Sequence, residues 1–318
     1  MLSESTIRRF RPLARKLRRM NVFWYRLFQG AFRLVGLNVI RVSDFYSPLP
    51  VVSRLKKTQA RWDRPSALAG IAYDLEEMKR ALASLLDRYG AEYQALPPFR
   101  VTKHMGFGPG FTNVDALTAY AVIRQAKPRR YLEVGSGLST YYASQAAARN
   151  MAEGAPLQIT CIEPYPYEKL STIPGIRLIQ KEVQDVEVQV FQELEAGDIL
   201  FIDSTHILKV DGDVPYLFLE VLPALRAGVR IHIHDVPFPY NIPYPADQWI
   251  FGMPWPMYWN EAMVVQAFLC HNDAFRITLS TPLIRHFDES FLRARIPGYE
   301  SIREEPKTFC SLWVEKTR

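Results

Sequence analysis

The stretch Tyr131-Leu-Glu-Val-Gly-Ser-Gly-Leu-Ser-Thr140 decides the fold of this chain. Its first part, Tyr131–Val134, is a short apolar run interrupted only by Glu133, and it predicts a buried strand. Gly135 and Gly137 follow at once. Because they lack a Cβ atom, the backbone can turn tightly there and a ligand can approach it closely.

The residues after this turn predict a helix that runs to Ala148, with Ser139 and Thr140 as its capping residues. A glycine-rich turn at the carboxyl end of a strand is where open α/β sheets bind nucleotide-like ligands. A dinucleotide-binding turn would have a third glycine at position 140, where this chain has Thr140. An NAD-dependent oxidoreductase of Rossmann type is therefore an alternative, although this chain lacks the third glycine of its motif.

A second acid closes the next predicted strand, Gln158–Glu163. Glu163 lies about thirty positions after Glu133, near the window where an acid accepts hydrogen bonds from ribose hydroxyls. This order of acid, glycine pair and acid resembles the S-adenosylmethionine (SAM) site of class I methyltransferases. The resemblance implies that Glu133 and the glycines border the methionine part of SAM and that Glu163 holds the ribose. The full set of cofactor-binding residues that it implies is Glu133, Gly135, Ser136, Gly137, Ser139, Thr140, Glu163 and Asp203.

The composition is that of a globular enzyme. The 318 residues leave room for one large domain and an appendage. A hydrophobic fraction of 48% with 23% charged residues predicts a sizeable core. The three cysteines are far apart, so they offer neither a disulfide framework nor a Cys-x-x-Cys metal pair. We therefore expect a cytoplasmic protein, and no apolar run reaches the roughly eighteen residues of a membrane span.

The formal net charge of +6 is concentrated in the first twenty residues, where seven basic residues accompany one acid, Glu4. An aromatic-rich amphipathic stretch follows from Phe23 to Val35. Such a segment can lie on an anionic membrane surface, here the inner face of the membrane. A terminal helix docked on the catalytic domain, with its arginines solvated, is the alternative. Nucleic acid is not expected as a partner, because the charge is confined to this segment and no binding motif accompanies it.

The pattern divides the chain into three parts. Residues 1–44 form the basic amphipathic segment, and residues 45–106 form a helical N-terminal region with a helix at Ala67–Tyr89 and a long connection. Residues 107–318 form an α/β domain, with an insertion at 237–259 that is rich in proline and aromatic residues.

Strands and helices alternate through the third part. The predicted strands are Tyr131–Val134, Gln158–Glu163, Ile176–Lys181, Asp198–Asp203, Val229–Asp235, Phe275–Leu279 and Thr308–Glu315. Helices are predicted at Val114–Gln125, Pro215–Leu225 and Glu261–Leu269, among others. This alternation predicts an α/β fold with a doubly wound, seven-stranded, mostly parallel sheet that is covered on both faces, preceded by a helical N-terminal extension. The last strand resembles the antiparallel strand that completes the methyltransferase sheet.

The fourth and fifth predicted strands end in the residues that we expect to carry the chemistry. Asp203 and Asp235 come from neighbouring strand ends, and two such carboxylates, completed by a histidine or an amide, can hold Mg²⁺. An ion there would lower the pKa of an acceptor hydroxyl. Alternatively, His206 or His234 acts directly as the base. The predicted catalytic residues are Asp203, His206 and His234, and the predicted metal ligands are Asp203 and Asp235. His232 is predicted to be a core residue, because its neighbours alternate as in a strand interior.

Two motifs narrow the resemblance. Phe201–His206 and His232–Val236 look like those of a bacterial class I group that includes macrocin- and cephamycin-type O-methyltransferases and enzymes that modify sugars. The similarity covers the chain from about Phe107 to Val314. It implies a SAM-dependent O-methyltransferase that acts on a hydroxyl of a small-molecule or glycan acceptor. A non-catalytic protein with a SAM fold, tethering a partner through its basic N-terminus, is a further alternative.

The insertion at 237–259 directly follows Asp235, so we expect it to close over the acceptor. Its aromatic faces suit a sugar ring or a flat apolar compound. The first turn of the helix Glu261–Leu269 is expected to face the same site. The alternative for the insertion is a hydrophobic flap packed on the N-terminal region, or a dimer contact in a homo-oligomer.

Overall fold

The computed structural model describes residues 22–40, 46–299 and 309–318. The chain divides into two compact units, Met1–Thr58 and Gln59–Arg318. The basic residues of the first twenty positions lie outside the described residues. Within the part that is described, no helix is both long enough and apolar enough to cross a bilayer.

The first unit contains helix α1, over residues 22–33, and helix α2, Val52–Lys57. The chain after α1 folds back along it. The Val39 carbonyl accepts hydrogen bonds from the Tyr25 hydroxyl at 3.3 Å and from Gln29 Nε2 at 3.2 Å. The predicted helical N-terminal extension is therefore present.

The second unit contains a seven-stranded sheet and the helices around it. The strands are β1 Arg130–Val134, β2 Gln158–Ile162, β3 Ile176–Ile179, β4 Ile199–Ile202, β5 Arg230–Ile233, β6 Phe275–Ser280 and β7 Leu312–Lys316. The helices are α3 Gln59–Trp62, α4 Leu75–Gln94, α5 Phe99–Thr102, α6 Asn113–Ala126, α7 Leu138–Ala152, α8 Val188–Gln192, α9 Asp213–Tyr216, α10 Leu222–Ala224, α11 Ala246–Trp249, α12 Glu261–Leu269 and α13 Thr281–Arg295. A π-helical turn, Leu217–Val221, joins α9 to α10, and short 3₁₀ turns cover Glu168–Thr172 and Val183–Asp185.

The strand order is β3-β2-β1-β4-β5-β7-β6. Strands β1 to β5 pair in parallel, whereas β7 pairs antiparallel with both β5 and β6. This arrangement confirms the predicted doubly wound sheet with an antiparallel last strand. The order reverses between β1 and β4, and open α/β sheets bind ligands beyond the carboxyl ends of the strands at such a reversal.

The centre of the sheet is strand β4, which consists only of apolar residues. All four residues of β4 are buried, as expected for a parallel strand covered on both faces. The Phe201 ring stacks beside Tyr131, with ring centroids 6.3 Å apart. His232 is fully buried and stacks on Trp313 with centroids 4.1 Å apart, as the strand pattern predicts.

Helix α4 begins at Leu75, eight positions later than the predicted start at Ala67. The apolar spacing before it belongs to an irregular segment in which Leu68 has φ 48° and Gly70 has φ 77°, values that end a right-handed helix. The Asp74 side chain then accepts the Glu77 N–H at 2.9 Å and caps α4. Leu68 is nevertheless buried, so its apolar character serves packing and not helical periodicity.

Helix α7 begins at Leu138, so Ser139 and Thr140 lie within its first turn and do not precede it. Gly137 occupies the capping position and has no side chain to offer. Instead, Thr140 Oγ1 reaches back and accepts the Gly137 N–H at 3.0 Å. The expected capping by threonine therefore occurs from inside the helix.

Candidate active site

A cleft of about 380 Å³ opens at the carboxyl ends of β1, β2 and β4, at the reversal of strand order. Three of the predicted cofactor residues line it: Gly135, Glu163 and Asp203. Tyr165 and Val183, from the loops after β2 and β3, lie on its wall. The other predicted cofactor residues do not line this cleft: Glu133, Ser136, Gly137, Ser139 and Thr140.

Glu163 holds the loop of β2 against the glycine turn. Its Oε2 accepts the Ser136 N–H at 3.1 Å, and its Oε1 accepts the Tyr165 N–H at 2.8 Å. A carboxylate oxygen has two lone pairs, so each oxygen keeps the capacity for another donor. Glu163 is therefore positioned by the backbone and able to accept hydroxyl groups in the cleft.

The two glycines of the turn are required by the protein's own backbone. Gly135 has φ 78°, and a Cβ atom there would lie 2.1 Å from the Asp203 carbonyl oxygen. A Cβ atom at Gly137 would lie 2.5 Å from the Phe107 carbonyl oxygen. From the sequence, both glycines are predicted to permit a tight turn and the close approach of a ligand. The structure shows that these glycines also leave room for the backbone carbonyl groups of Asp203 and Phe107.

Glu133 is fully buried behind the glycine turn. The Thr140 hydroxyl donates a short hydrogen bond to its Oε2, and the Tyr131 hydroxyl lies 3.4 Å from its Oε1. Burial raises the pKa of Glu133 to about 7, although hydrogen bonds from hydroxyl groups of the turn oppose that rise. The carboxyl group thus ties β1 to the start of α7, and its contact with the methionine part of a cofactor stays a prediction.

A second cluster lies beside the cleft. Asp203 follows β4, Asp235 follows β5, and His206 lies between their carboxylates. His206 Nε2 is 3.2 Å from Asp203 Oδ1 and 3.4 Å from Asp235 Oδ2. The three potential ligand atoms are within 4.8 Å of one another. The structure therefore brings together both predicted metal ligands and one of the predicted catalytic histidines.

The backbone of this cluster is strained. His206 has φ 61° and Asp235 has φ 57°, in the left-handed region that side chains other than glycine rarely adopt. Such conformations cost of order 1–3 kcal/mol and persist where the surrounding contacts fix them, often at functional sites. Here the surrounding contacts are explicit, because the His206 carbonyl accepts the N–H groups of Asn260 at 3.0 Å and Glu261 at 3.1 Å.

Glu261 is a site residue to which the sequence analysis assigned no role. Its Oε2 lies 2.6 Å from His206 Nδ1, and its Oε1 accepts the Ser204 hydroxyl at 3.0 Å. Glu261 is buried, in the first turn of α12. The one sequence signal for Glu261 was the prediction that the first turn of its helix faces the site. An acid is also common in the first turn of any helix, so the sequence did not distinguish Glu261 as a site residue.

His234, the third predicted catalytic residue, lies deeper. It is buried between two carboxylates, with Nδ1 3.3 Å from Asp203 Oδ1 and Nε2 3.4 Å from Asp115 Oδ2. Asp115 is itself buried on α6 and accepts the hydroxyl groups of Thr112 at 2.5 Å and Ser311 at 2.6 Å. His234 therefore connects Asp203 to the buried Asp115 on α6.

The charges in this cluster perturb one another. Burial opposes a charged imidazole, but the hydrogen bonds with Asp203 and Glu261 outweigh it and hold the pKa of His206 well above its usual range. Burial opposes a charged carboxylate at Asp203 too, yet the charge of His234 outweighs it and the pKa of Asp203 is lowered. Burial raises the pKa of Asp235. A site that gathers this much acid around one imidazole favours a positive charge at its centre.

A second cavity, of about 260 Å³, adjoins Asp235. Its wall is mainly apolar and includes Tyr244, Trp249 and Trp259 from the predicted insertion and its end. The Trp259 ring also lies 4.4 Å from the His206 ring. We call this space the acceptor cavity. The cluster of Asp203, His206 and Asp235 thus has one carboxylate on the cleft and the other on the acceptor cavity.

The residues present fit SAM and a divalent cation. The cleft has the volume of a small-molecule site, with a carboxylate at the end of β2 and apolar surface from Val183. His206 Nε2 and one oxygen of each carboxylate lie within 4.8 Å of one another, so Asp203, His206 and Asp235 could share a divalent cation. His206 would bind through Nε2, since its Nδ1 faces Glu261, and this pairing of imidazole with carboxylate is common behind metal-binding histidines.

Part of this chain is similar to a known protein family. Residues 132–236 match the family described as a methyltransferase domain. An uncharacterised protein of Archaeoglobus fulgidus is 29% identical over 189 residues, which cover 54% of this chain and 82% of that protein.

Two solved methyltransferase structures are also among those to which this chain is similar. A Podospora anserina methyltransferase bound to S-adenosylhomocysteine (SAH) is 16% identical, with 86% of this chain and 99% of that chain covered and a TM-score of 0.39. An O-methyltransferase from Bacillus cereus in complex with SAH is 14% identical, with 74% and 91% covered and a TM-score of 0.40.

Proposed function

We propose that this protein transfers a methyl group from SAM to a hydroxyl group of a small-molecule or glycan acceptor. The observation that supports it best is the position of the Asp203–His206–Asp235 cluster. It lies between a cleft at the reversal of strand order and an apolar cavity lined by aromatic side chains. A donor in the first space and an acceptor in the second would meet at these side chains.

The cofactor would supply a methyl group that is bonded to a positively charged sulfur. A lone pair of the acceptor oxygen can attack this methyl carbon, with the sulfur as the leaving group. Glu163 and the glycine turn would hold the cofactor in the cleft. The aromatic wall of the acceptor cavity excludes water and orients the acceptor, so that its hydroxyl oxygen points to Asp235. The acceptor oxygen would bond to the methyl carbon while the sulfur leaves with the electron pair of the sulfur–methyl bond, and the hydroxyl proton would pass to the cluster or to solvent.

Asp203, His206 and Asp235 would hold a divalent cation such as Mg²⁺, which lowers the pKa of a hydroxyl group bound beside it. The geometry favours His206 as a ligand over His206 as the base. Its Nδ1 is held by Glu261, and its Nε2 points between two carboxylates. An imidazole in that setting needs a proton or a cation at Nε2, which leaves it no free lone pair for an acceptor proton.

The test is methyl transfer with and without a chelator. Titration calorimetry should show SAM binding and no NAD binding, and SAM should be converted to SAH in the presence of a hydroxyl-bearing acceptor library. EDTA should abolish this conversion without changing SAM affinity, and excess Mg²⁺ should restore it. Asp203→Asn, which keeps the shape but removes a charge that a hard cation requires, should be as inactive as the chelated protein.

The alternatives predict other results. Activity that survives EDTA and is lost in His206→Ala would identify a base that works without metal. NAD binding without SAM binding would favour the oxidoreductase. SAM binding with no SAH formed from any acceptor would favour a non-catalytic protein.

A further inference from the structure

A third cavity, of about 200 Å³, lies next to the acceptor cavity. It is bounded by the start of helix α13 and by the insertion. Three residues line both cavities: Pro237, Tyr244 and Cys310. A ligand whose hydroxyl group lies at Asp235 can therefore extend past Tyr244 into this third space.

The third cavity contains a cation, Arg285. It is half-buried on α13, and its guanidinium lies 5.5 Å from the centroid of the Phe309 ring. Among the described residues, no carboxylate forms an ion pair with it. Arg295, on the same helix, instead pairs with Asp87 at 3.0 Å. The Arg285 guanidinium thus has an aromatic face beside it and, within the described ranges, no carboxylate at ion-pair distance, so its donors are available to a ligand.

Two neighbouring side chains that line the cavity, His286 and Tyr240, lie within the influence of the Arg285 charge. Burial and then the Arg285 charge lower the pKa of His286. Burial and the hydrogen bond with Tyr244 raise the pKa of Tyr240 to about 12, against the opposing effect of Arg285. The Tyr240 and Tyr244 rings stack 3.7 Å apart and form one wall. The cavity thus combines a fixed cation with two phenol groups, whereas the acceptor cavity beside it is mainly apolar.

We propose that the Arg285 cavity binds an anionic group, a phosphate or a carboxylate, carried by the acceptor. Guanidinium donates two parallel hydrogen bonds to either group, which gives both strength and orientation. The acceptor would then present its hydroxyl at Asp235 and its anion at Arg285, with its apolar or sugar body against Tyr244. The identity of the ligand as an acceptor rests on the proposed function, whereas anion binding at Arg285 does not.

The experiment measures binding and needs no turnover. Three anions are titrated into the full-length protein alongside a neutral counterpart of each: phenyl phosphate and phenol, glucose 6-phosphate and glucose, benzoate and benzyl alcohol. At least one anion should bind about tenfold or more tightly than its counterpart, because hydrogen bonds to charged groups contribute more than neutral ones. Which pair shows the preference identifies the kind of body that carries the anion.

Variants locate the preference. Arg285→Gln should remove the preference for the anion. Arg285→Lys should retain part of this preference, because the charge remains without the two parallel hydrogen bonds. Arg295→Gln, the matched control on α13, should leave the preference intact. No preference in the wild-type protein for any pair, or a full preference in Arg285→Gln, would overturn the proposal. SAH affinity is measured for every protein. A wild-type protein that does not bind SAH would count against the proposed methyltransferase and not against the anion site. Variants that bind SAH as the wild type does are folded.

Discussion

At the scale of single residues, Gly135 matters for the atom that it lacks. Its φ of 78° is one that an L side chain rarely adopts, and the space where a Cβ would lie is filled by the Asp203 carbonyl. That carbonyl belongs to the residue that lines the cleft and contacts His206. Any side chain at Gly135 would therefore push the end of β4, and Asp203 with it, away from β1.

Gly175 provides a matched control for this contact. It has the same φ of 78°, but a Cβ there would meet nothing within 4 Å. Gly175→Ala should lower the free energy of unfolding by about 1–2 kcal/mol, the cost of the left-handed backbone alone. Gly135→Ala should cost on the order of 1–3 kcal/mol more, because overpacking is added. Urea unfolding of both variants measures the difference, and equal losses would show that the Asp203 carbonyl yields without cost.

Glu133 should make the protein less stable as pH rises, which is opposite to the effect of most carboxyl groups in folded proteins. Burial raises its pKa to about 7 from a usual 4.5, so the folded state keeps a proton that the unfolded state releases. Between those two values the free energy of unfolding should fall as pH rises, by on the order of 3 kcal/mol. Glu133→Gln has no proton to lose there. Its free energy of unfolding relative to the wild type should therefore increase from about pH 5 to pH 8, and parallel pH profiles would contradict this account.

At the scale of elements, the candidate site is a junction of β4, β5 and α12. The strands deliver Asp203 and Asp235 side by side because β4 and β5 pair in parallel and end at the same edge. Helix α12 is joined to the loop after β4 by the two backbone hydrogen bonds to the His206 carbonyl. The side chain of Asn260, which directly precedes α12, accepts the Leu208 N–H at 2.7 Å and reinforces this junction.

We expect Glu261 to orient His206 without touching the substrate. Glu261→Gln should weaken Mn²⁺ binding about 10–100-fold, as loss of a carboxylate behind a metal-binding histidine typically does. Methyl transfer at limiting metal should fall with it and recover at excess metal, while SAH affinity stays unchanged. Calorimetric Mn²⁺ titration measures the first effect, with the exposed Glu220→Gln as control. Unchanged Mn²⁺ affinity in Glu261→Gln would remove Glu261 from the proposed metal centre.

At the scale of the whole molecule, the first unit carries an apolar surface on helix α1. In α1, the side chains of Phe23, Trp24, Leu27 and Phe28 are between 55% and 61% exposed. Their spacing places them along one side of the helix. Aromatic residues beside a basic sequence are typical of segments that lie at the surface of an anionic bilayer.

We therefore expect the full-length protein to bind liposomes that contain phosphatidylserine and to bind them less as salt rises, since surface charges are screened. Deleting residues 1–21 should weaken this binding by removing the basic residues, and Trp24→Ala should weaken it by removing an aromatic anchor. SAH affinity should not change in either. Sedimentation with liposomes, with pure phosphatidylcholine as control, makes the measurement. A full-length protein that ignores anionic liposomes at low salt would contradict the membrane-surface proposal.

The sequence by itself determined the class of the fold and the places where polar residues leave the sheet. Apolar runs ending in acids, separated by helical spacing, specify parallel strands and their carboxyl ends, because burial on both faces and local periodicity are properties of short stretches. The same local patterns placed Asp203 and Asp235 at neighbouring strand ends. Only the tertiary structure decided how these residues meet side chains from far along the chain. Glu261 reaches His206 across 55 positions, Asp115 reaches His234 across 119, and Arg285 comes to lie beside the acceptor cavity through packing of α13 against the insertion. Contacts of this kind depend on where whole elements pack, and no short stretch of sequence contains that information.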